Sequence, residues 1–161
     1  LNQKLINNSK LAINFHPGPP EYRGIGCTNF ALLNNEKKYG VTCHLIDEKI
    51  DSGKIIKFKY FKINKKNNLK EVLEMTHRAM FNLANIVFNN ISTENYINNC
   101  IKHSKKYNWS SKYFRQSELE ELYKLQIDYS KKYFDRVLRA TIYSNYLPYY
   151  LIDGKKFYFK K

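Results

Sequence analysis

Apolar residues alternate with polar ones in the first third of the chain and recur at helical spacing beyond it. Residues 11–15, Leu-Ala-Ile-Asn-Phe, form a β-branched and aromatic run halted by His16 and Pro17, which predicts a buried strand entering a loop. Gly24 and Gly26 permit a turn, after which residues 27–33 read as a short helix closed by Asn34 and Asn35. Residues 41–46 predict a second strand. Residues 54–63 alternate lysine with apolar side chains, the mark of a third strand with one wet face.

From Leu69 to Ile91 the apolar positions Leu69, Val72, Leu73, Met75, Ala79, Met80, Leu83, Ile86 and Val87 follow a helical period, with Asn68 as N-cap and His77 on the helix surface. Residues 98–116 are polar, basic and aromatic and read as a linker, with Trp109 as its anchor to the core. Ser117 followed by Glu120 is a capping pattern that predicts a helix start. A further helix is expected over residues 130–140. Residues 149–159 carry Asp153-Gly154 between two apolar runs, a hairpin signal. The expected division is a main domain over 1–97, a linker over 98–116 and a small helix and hairpin region over 117–161.

Composition narrows the class. A chain of 161 residues, 43% hydrophobic, has enough apolar content for one sizeable core, which argues against global disorder. Cys27, Cys43 and Cys100 lie far apart without metal-ligand spacing, which suits a reducing cytoplasm better than a disulfide framework. No apolar run reaches membrane-spanning length and no leader pattern is visible. The net charge of +14, with 14 tyrosines, fits either an RNA-binding face or a solvated basic surface, and the scatter of the lysines favours the second.

The candidate chemistry clusters near the strand ends. Asn14 and His16 are two apart, so a strand points both to one face. Pro17, Pro19 and Pro20 fix three φ angles and stiffen the loop that follows the imidazole. Asp51 sits in an acidic loop after the second strand. An amide, an imidazole and a carboxylate so placed form a plausible acyl-transfer site.

The joint pattern Asn14-x-His16-Pro17, Tyr22-Arg23-Gly24, Gly40-Val41-Thr42-x-His44 and Asp51-x-Gly53 resembles the folate-dependent formyltransferase family, which includes glycinamide ribonucleotide, methionyl-tRNA and nucleotide-sugar amine formyltransferases. The resemblance implies an α/β fold, the C-terminal half of a Rossmann-like domain with a small helical and hairpin appendage. It implies Asn14, His16 and Asp51 as the catalytic triad. It also implies Ile46, Asp47 and Glu48 in the loop that wraps the folate pterin, Tyr22 and Arg23 at the entry of the acceptor, and His44 as a support of the loop. The expected co-substrate is 10-formyltetrahydrofolate, with no metal. Amine attack on the formyl carbon develops charge on the carbonyl oxygen, which the Asn14 amide and a protonated His16 would meet as donors, while Asp51 holds the imidazole's charge and accepts a proton through water.

Relatives carry a long stretch before the Asn, and Leu1 in place of Met adds to the expectation that a segment is missing here. An open edge beside Asn14 and His16 is therefore expected, to be met by a complementing N-terminal fragment or by a homo-oligomer. The segment 136–141 and the hairpin after it resemble the C-terminal region of enzymes acting on nucleotide-linked amino sugars. The loop Gly18-Pro19-Pro20 departs from the Ser-Leu-Leu-Pro of methionyl-tRNA enzymes. The favoured acceptor is a small amine, in particular a nucleotide-linked amino sugar. A tRNA-directed enzyme and an inactive remnant or binding module are the alternatives.

Overall fold

The computed structural model describes residues 8–93 and 95–159; Leu1 lies outside them. Strand β1 (Ile13–His16) pairs antiparallel with β3 (Lys38–Leu45), which pairs antiparallel with β4 (Ile55–Lys62), giving the sheet order β1-β3-β4. Among the described residues β1 has one strand neighbour, β3. Between β1 and β3 lie the two-residue strand β2 (Arg23–Gly24) and helix α1 (Cys27–Leu33).

Helix α2 (Leu69–Asn90) covers one sheet face. Its start is fixed by Asn68, whose side chain accepts from Glu71 N at 3.0 Å while the Glu71 carboxylate accepts from Asn68 N at 3.1 Å. Leu69, Val72, Thr76, Ala79, Leu83 and Val87 form its buried stripe. Three of these residues, Ala79, Leu83 and Val87, pack with Val41, Cys43 and Ile56 of the sheet. Ile86, expected on that stripe, is exposed instead, as are Phe81 and Phe88.

Residues 98–116, expected as a linker, fold differently. They contain most of helix α3 (Tyr96–Ser104), which lays Ile97, Cys100 and Ile101 against the sheet cluster, and strand β5 (Tyr113–Phe114), which pairs parallel with β2. Helix α4 (Gln116–Leu122) starts earlier than its capping pattern predicted. Its N-cap is Arg115, whose N–H donates to the Glu118 carboxylate at 2.9 Å, and Ser117 falls inside the helix.

Helix α5 (Lys131–Thr141) begins at Ser130 and packs on α1, where Asn29 donates to the Ala140 carbonyl at 2.7 Å. Val137 and Ala140 share one buried cluster with Ala31, Leu32, Leu69 and Val72, so the core continues from the sheet domain into the last third of the chain. Strands β6 (Tyr149–Ile152) and β7 (Lys155–Tyr158) form the hairpin, with Asp153 and Gly154 both at positive φ as a two-residue turn requires. No described helix is long and apolar enough to cross a membrane.

Candidate active site

The register of β1 on β3 sets Asn14 opposite His44 and His16 opposite Thr42, so four polar side chains share one sheet face. The loop after His16 is stiffened by its prolines and pinned by the neighbouring strand. Tyr39 donates to the Pro17 carbonyl and Thr42 to the Gly18 carbonyl, both at 2.8 Å. The β3–β4 ladder shifts register between Cys43 and His44, with Ile56 of β4 as the extra residue, while His44 keeps the face it shares with Thr42.

The loop that carries Asp51 is built around two backbone requirements. Asp51 itself adopts a left-handed φ of 48°. Gly53 packs so closely on the Leu45 carbonyl that any Cβ would collide with it. Arg23 then ties the loop down: its Nε donates to the Asp51 carbonyl at 2.7 Å, Nη2 to the Ile50 carbonyl at 3.3 Å, and Nη1 to the Ser110 carbonyl at 3.0 Å.

The result is a carboxylate between two imidazoles. Asp51 Oδ2 lies 3.3 Å from His16 Nδ1 and accepts from Gly24 N at 3.1 Å, while Oδ1 lies 3.6 Å from His44 Nε2. His16 Nε2 donates to the Tyr22 carbonyl at 2.7 Å, and Cys27 Sγ stands 3.9 Å from the same nitrogen. His44 donates from Nδ1 to the Leu45 carbonyl at 2.6 Å and accepts from the Asn14 amide at Nε2, 3.2 Å away. Trp109 closes this arrangement. Its ring stands edge-on to His44 at 5.0 Å and to His16 at 5.7 Å, and its Nε1 donates to the Gly53 carbonyl at 2.8 Å.

Charge follows burial. Burial pushes the His16 pKa down and outweighs the attraction of Asp51, so this imidazole resists protonation. For Asp51, burial acts upward, but the two neighbouring imidazoles and the Gly24 N–H together hold the carboxyl below its ordinary range. Burial, with the Asp51 charge behind it, pushes the Cys27 thiol up to about 12, which keeps it protonated and poorly nucleophilic.

A cavity of about 220 Å³ opens onto this cluster and is lined by Asn14, His44, Ile46, Asp47, Glu48, Lys49, Ile50 and Asp51. The expected triad residues Asn14, His16 and Asp51 are thus brought together, and the three expected folate-loop residues line the same cavity. Three readings change. His16 is buried behind Asp51 with Nε2 already bonded, so a protonated His16 facing the substrate is replaced by a neutral one at the back of the site. Tyr22, expected at the acceptor entry, is 7% exposed, stacks on Phe114 at 5.6 Å and bonds Glu36 and Asn34 through its hydroxyl. Arg23, expected there too, spends its nitrogens on three backbone carbonyls. His44 and Trp109 join the cluster beyond their expected supporting roles. The Gly-Val-Thr-x-His spacing signalled His44, whereas nothing local signalled Trp109. Among the described residues no group of three His, Cys, Asp or Glu is arranged to hold a metal.

Comparison with known proteins points to one family. The formyl transferase family model matches residues 1–88. The methionyl-tRNA formyltransferase of Mycoplasmopsis pulmonis is 27% identical over 157 residues, covering 96% of this chain and 52% of that protein. A sugar N-formyltransferase from a Shewanella species superposes with a TM-score of 0.73 at 27% identity, covering 98% of this chain and 63% of the other. An N-formyltransferase from Helicobacter canadensis, solved with folinic acid and dTDP-3-aminofucose, gives 0.65 at 27% identity over 90% of this chain and 52% of the other. The chain therefore spans about half to two thirds of the length of these three relatives.

Proposed function

Given that the chain belongs to the formyl transferase family, we propose that it moves a formyl group from 10-formyltetrahydrofolate to a primary amine, with Asn14, His16 and Asp51 as the catalytic residues. The observation that carries this reading is the meeting of Asn14, His44 and Asp51 at the floor of one cavity, with His16 directly behind the carboxylate. The cavity suits the donor: a polar floor meets the reacting group, and Ile46, Asp47 and Glu48 along its wall would hold the folate ring. Bound there, the donor supplies an electrophilic formyl carbon.

Each residue then has a defined task. The Asn14 amide gives one hydrogen to His44, and its second is available to the carbonyl oxygen as that oxygen gains charge. A donor so aimed contributes about 3 kcal/mol to the transition state. Asp51 takes the proton released by the attacking amine, and His16 Nδ1 shares it from the inner side. With its single N–H committed to the Tyr22 carbonyl, a neutral His16 turns a lone pair toward Asp51, so the pair has room for one proton.

The acceptor proposed is a nucleotide-linked amino sugar in the cytoplasm. The Shewanella and Helicobacter relatives support it, both similar to this chain along nine tenths of its length or more. Methionyl-tRNA is the second reading, supported by the Mycoplasmopsis relative and by the charge of +14. The outer edge of β1, unpaired among the described residues, with Phe15 tilted against the exposed Phe88 at 5.7 Å, supports a further polypeptide against this face. The test is formyl transfer to a panel of amino-sugar nucleotides and methionyl-tRNA, with His16→Ala as control. Transfer that disappears in the variant names the acceptor. No transfer, together with no folate binding by calorimetry, would reduce the chain to a remnant or a binding module.

A further inference from the structure

Trp109 lies outside the residues matched by the family model, in a stretch whose composition reads as a connector, yet its ring is the shared neighbour of both imidazoles. We propose that Trp109 is a positioning residue: its ring holds His16 and His44 in place on either side of Asp51 and keeps water from them, so the segment that carries it completes the active site. The inference rests on the acyl-transfer reading of that site.

The segment is fastened at several independent points. Trp109 Nε1 donates to the Gly53 carbonyl at 2.8 Å, which couples the indole to the turn that presents Asp51. Ser110 N donates to the Pro20 carbonyl at 2.9 Å, at the end of the stiff loop after His16, and the Ser110 carbonyl accepts from Arg23 Nη1 at 3.0 Å. The Arg23 guanidinium stands 6.0 Å from the indole centroid. Four residues later β5 pairs with β2. The indole is therefore held by the same three pieces of chain that position the carboxylate and the two imidazoles. Edge-on contact is the favoured arrangement for aromatic rings, and it fixes the tilt of each imidazole as well as its distance.

The groups facing the two rings separate this role from simple anchoring. His16 meets Asp51, the Tyr22 carbonyl, Cys27, Arg23 and His44; His44 meets Asp51, Asn14 and the Leu45 carbonyl. None of these groups is itself removed when Trp109 is replaced, so a change in the behaviour of His16 reports the loss of the indole and of the placement it enforces. A tryptophan that only tied the segment down would alter the melting temperature and leave the imidazole titration where it was.

The test follows the imidazole C2 protons of the full chain by NMR against pH in wild type, Trp109→Ala and Trp109→Phe, with formyl transfer measured in parallel. Trp109→Ala is expected to raise the His16 midpoint toward the ordinary histidine value and to lower kcat by about 100-fold, the order that a misplacement of roughly 1 Å costs, with little change in KM. Trp109→Phe keeps a ring edge against both imidazoles and is expected to retain the wild-type midpoint and most of the rate. An unchanged His16 midpoint in a folded Trp109→Ala overturns the proposal. Should that variant not fold, the wild type decides, because Trp109 is its only tryptophan. A protonated imidazole quenches an indole it touches, so Trp109 fluorescence must step at the His16 midpoint and lose that step in His16→Gln. Absence of the step refutes the contact. A wild type that shows the expected titration but no formyl transfer would count against the reaction class and not against the placement of Trp109.

Discussion

The two sides of the Asp51 carboxylate are built on opposite principles. On the inner side, His16 is 3% exposed and every polar atom is spoken for: Nε2 by the Tyr22 carbonyl, Nδ1 by Asp51, and the carboxylate by Gly24 N. On the outer side, Asn14 is exposed and lines a cavity whose wall is an exposed loop, with His44, itself buried at 2% exposure, behind it and 3.6 Å from Asp51. One carboxylate thus joins a dry store for a proton to a wet surface that can meet a substrate. The difference teaches that the residue named first by its motif, His16, is placed to hold a proton, while Asn14 is placed to touch what enters and the buried His44 to hold the Asn14 amide.

The strongest way to break that comparison is to remove the charge that links the two sides. Asp51→Asn keeps the shape of the side chain, and asparagine tolerates the left-handed φ of 48°, so the loop should stay folded. Rate should fall between about 10²- and 10⁴-fold, the range for losing a positioned proton acceptor. A variant with near wild-type kcat would mean that Asp51 is not the acceptor. Next in size is Asn14→Ala, which touches only the outer side. Because the side chain is exposed, the melting temperature should hardly move, while kcat falls about 10²- to 10³-fold if its amide meets the oxyanion. A large loss of stability with little loss of rate would reassign Asn14 to a structural role.

The inner side should declare itself through pH. His16 titrates below its ordinary value, so the unfolded chain takes up a proton near pH 6.5 that the native chain refuses, and stability falls as pH drops below about 6.5. Asp51 is also depressed, so its stabilising contribution is present above the ordinary carboxylate value and is lost as pH falls through its folded value. Both groups therefore destabilise the fold in acid, His16 first and Asp51 last. Urea midpoints between pH 7.5 and 4.5 should decline in the wild type and flatten across the upper part of that window in His16→Gln. A wild-type curve that stays level from pH 7 to 5 would contradict the buried, neutral imidazole.

How much of this could be read from the chain depended on whether the cause was local. Asn14 and His16 share a face because strand geometry alone puts residues two apart on one side. The start of α2 at Asn68 and the turn at Asp153-Gly154 are likewise decided within four residues. The meeting of His44 with Asp51 depends on the loop after β3 folding back, which leaves no mark within β3 itself. Residues 98–116 read as a connector because α3 is held by packing of Ile97, Cys100 and Ile101 on the sheet, and β5 by a two-residue partner ninety positions earlier. Ser117 was the better capping residue by type, yet the Glu118 carboxylate reaches back to Arg115 N and starts α4 two residues sooner.

The smallest expected effect tests on which side Tyr22 belongs. Its motif suggests contact with the acceptor, but its hydroxyl donates to Glu36 at 2.9 Å and accepts from Asn34 at 3.0 Å, and its ring lies against Phe114 and Tyr39 in the core. What it lends to the site is its backbone carbonyl, which any residue would supply. Tyr22→Phe keeps the ring and that carbonyl and removes only the hydroxyl. Stability should then fall by about 1 kcal/mol, the usual worth of a hydrogen bond, with part of the Glu36 and Asn34 contact replaced by water. The KM for donor and acceptor should stay at wild-type values, because nothing that faces the cavity has changed. A several-fold rise in acceptor KM would mean that the hydroxyl reaches the substrate after all, and that the inner wall opens when the acceptor binds.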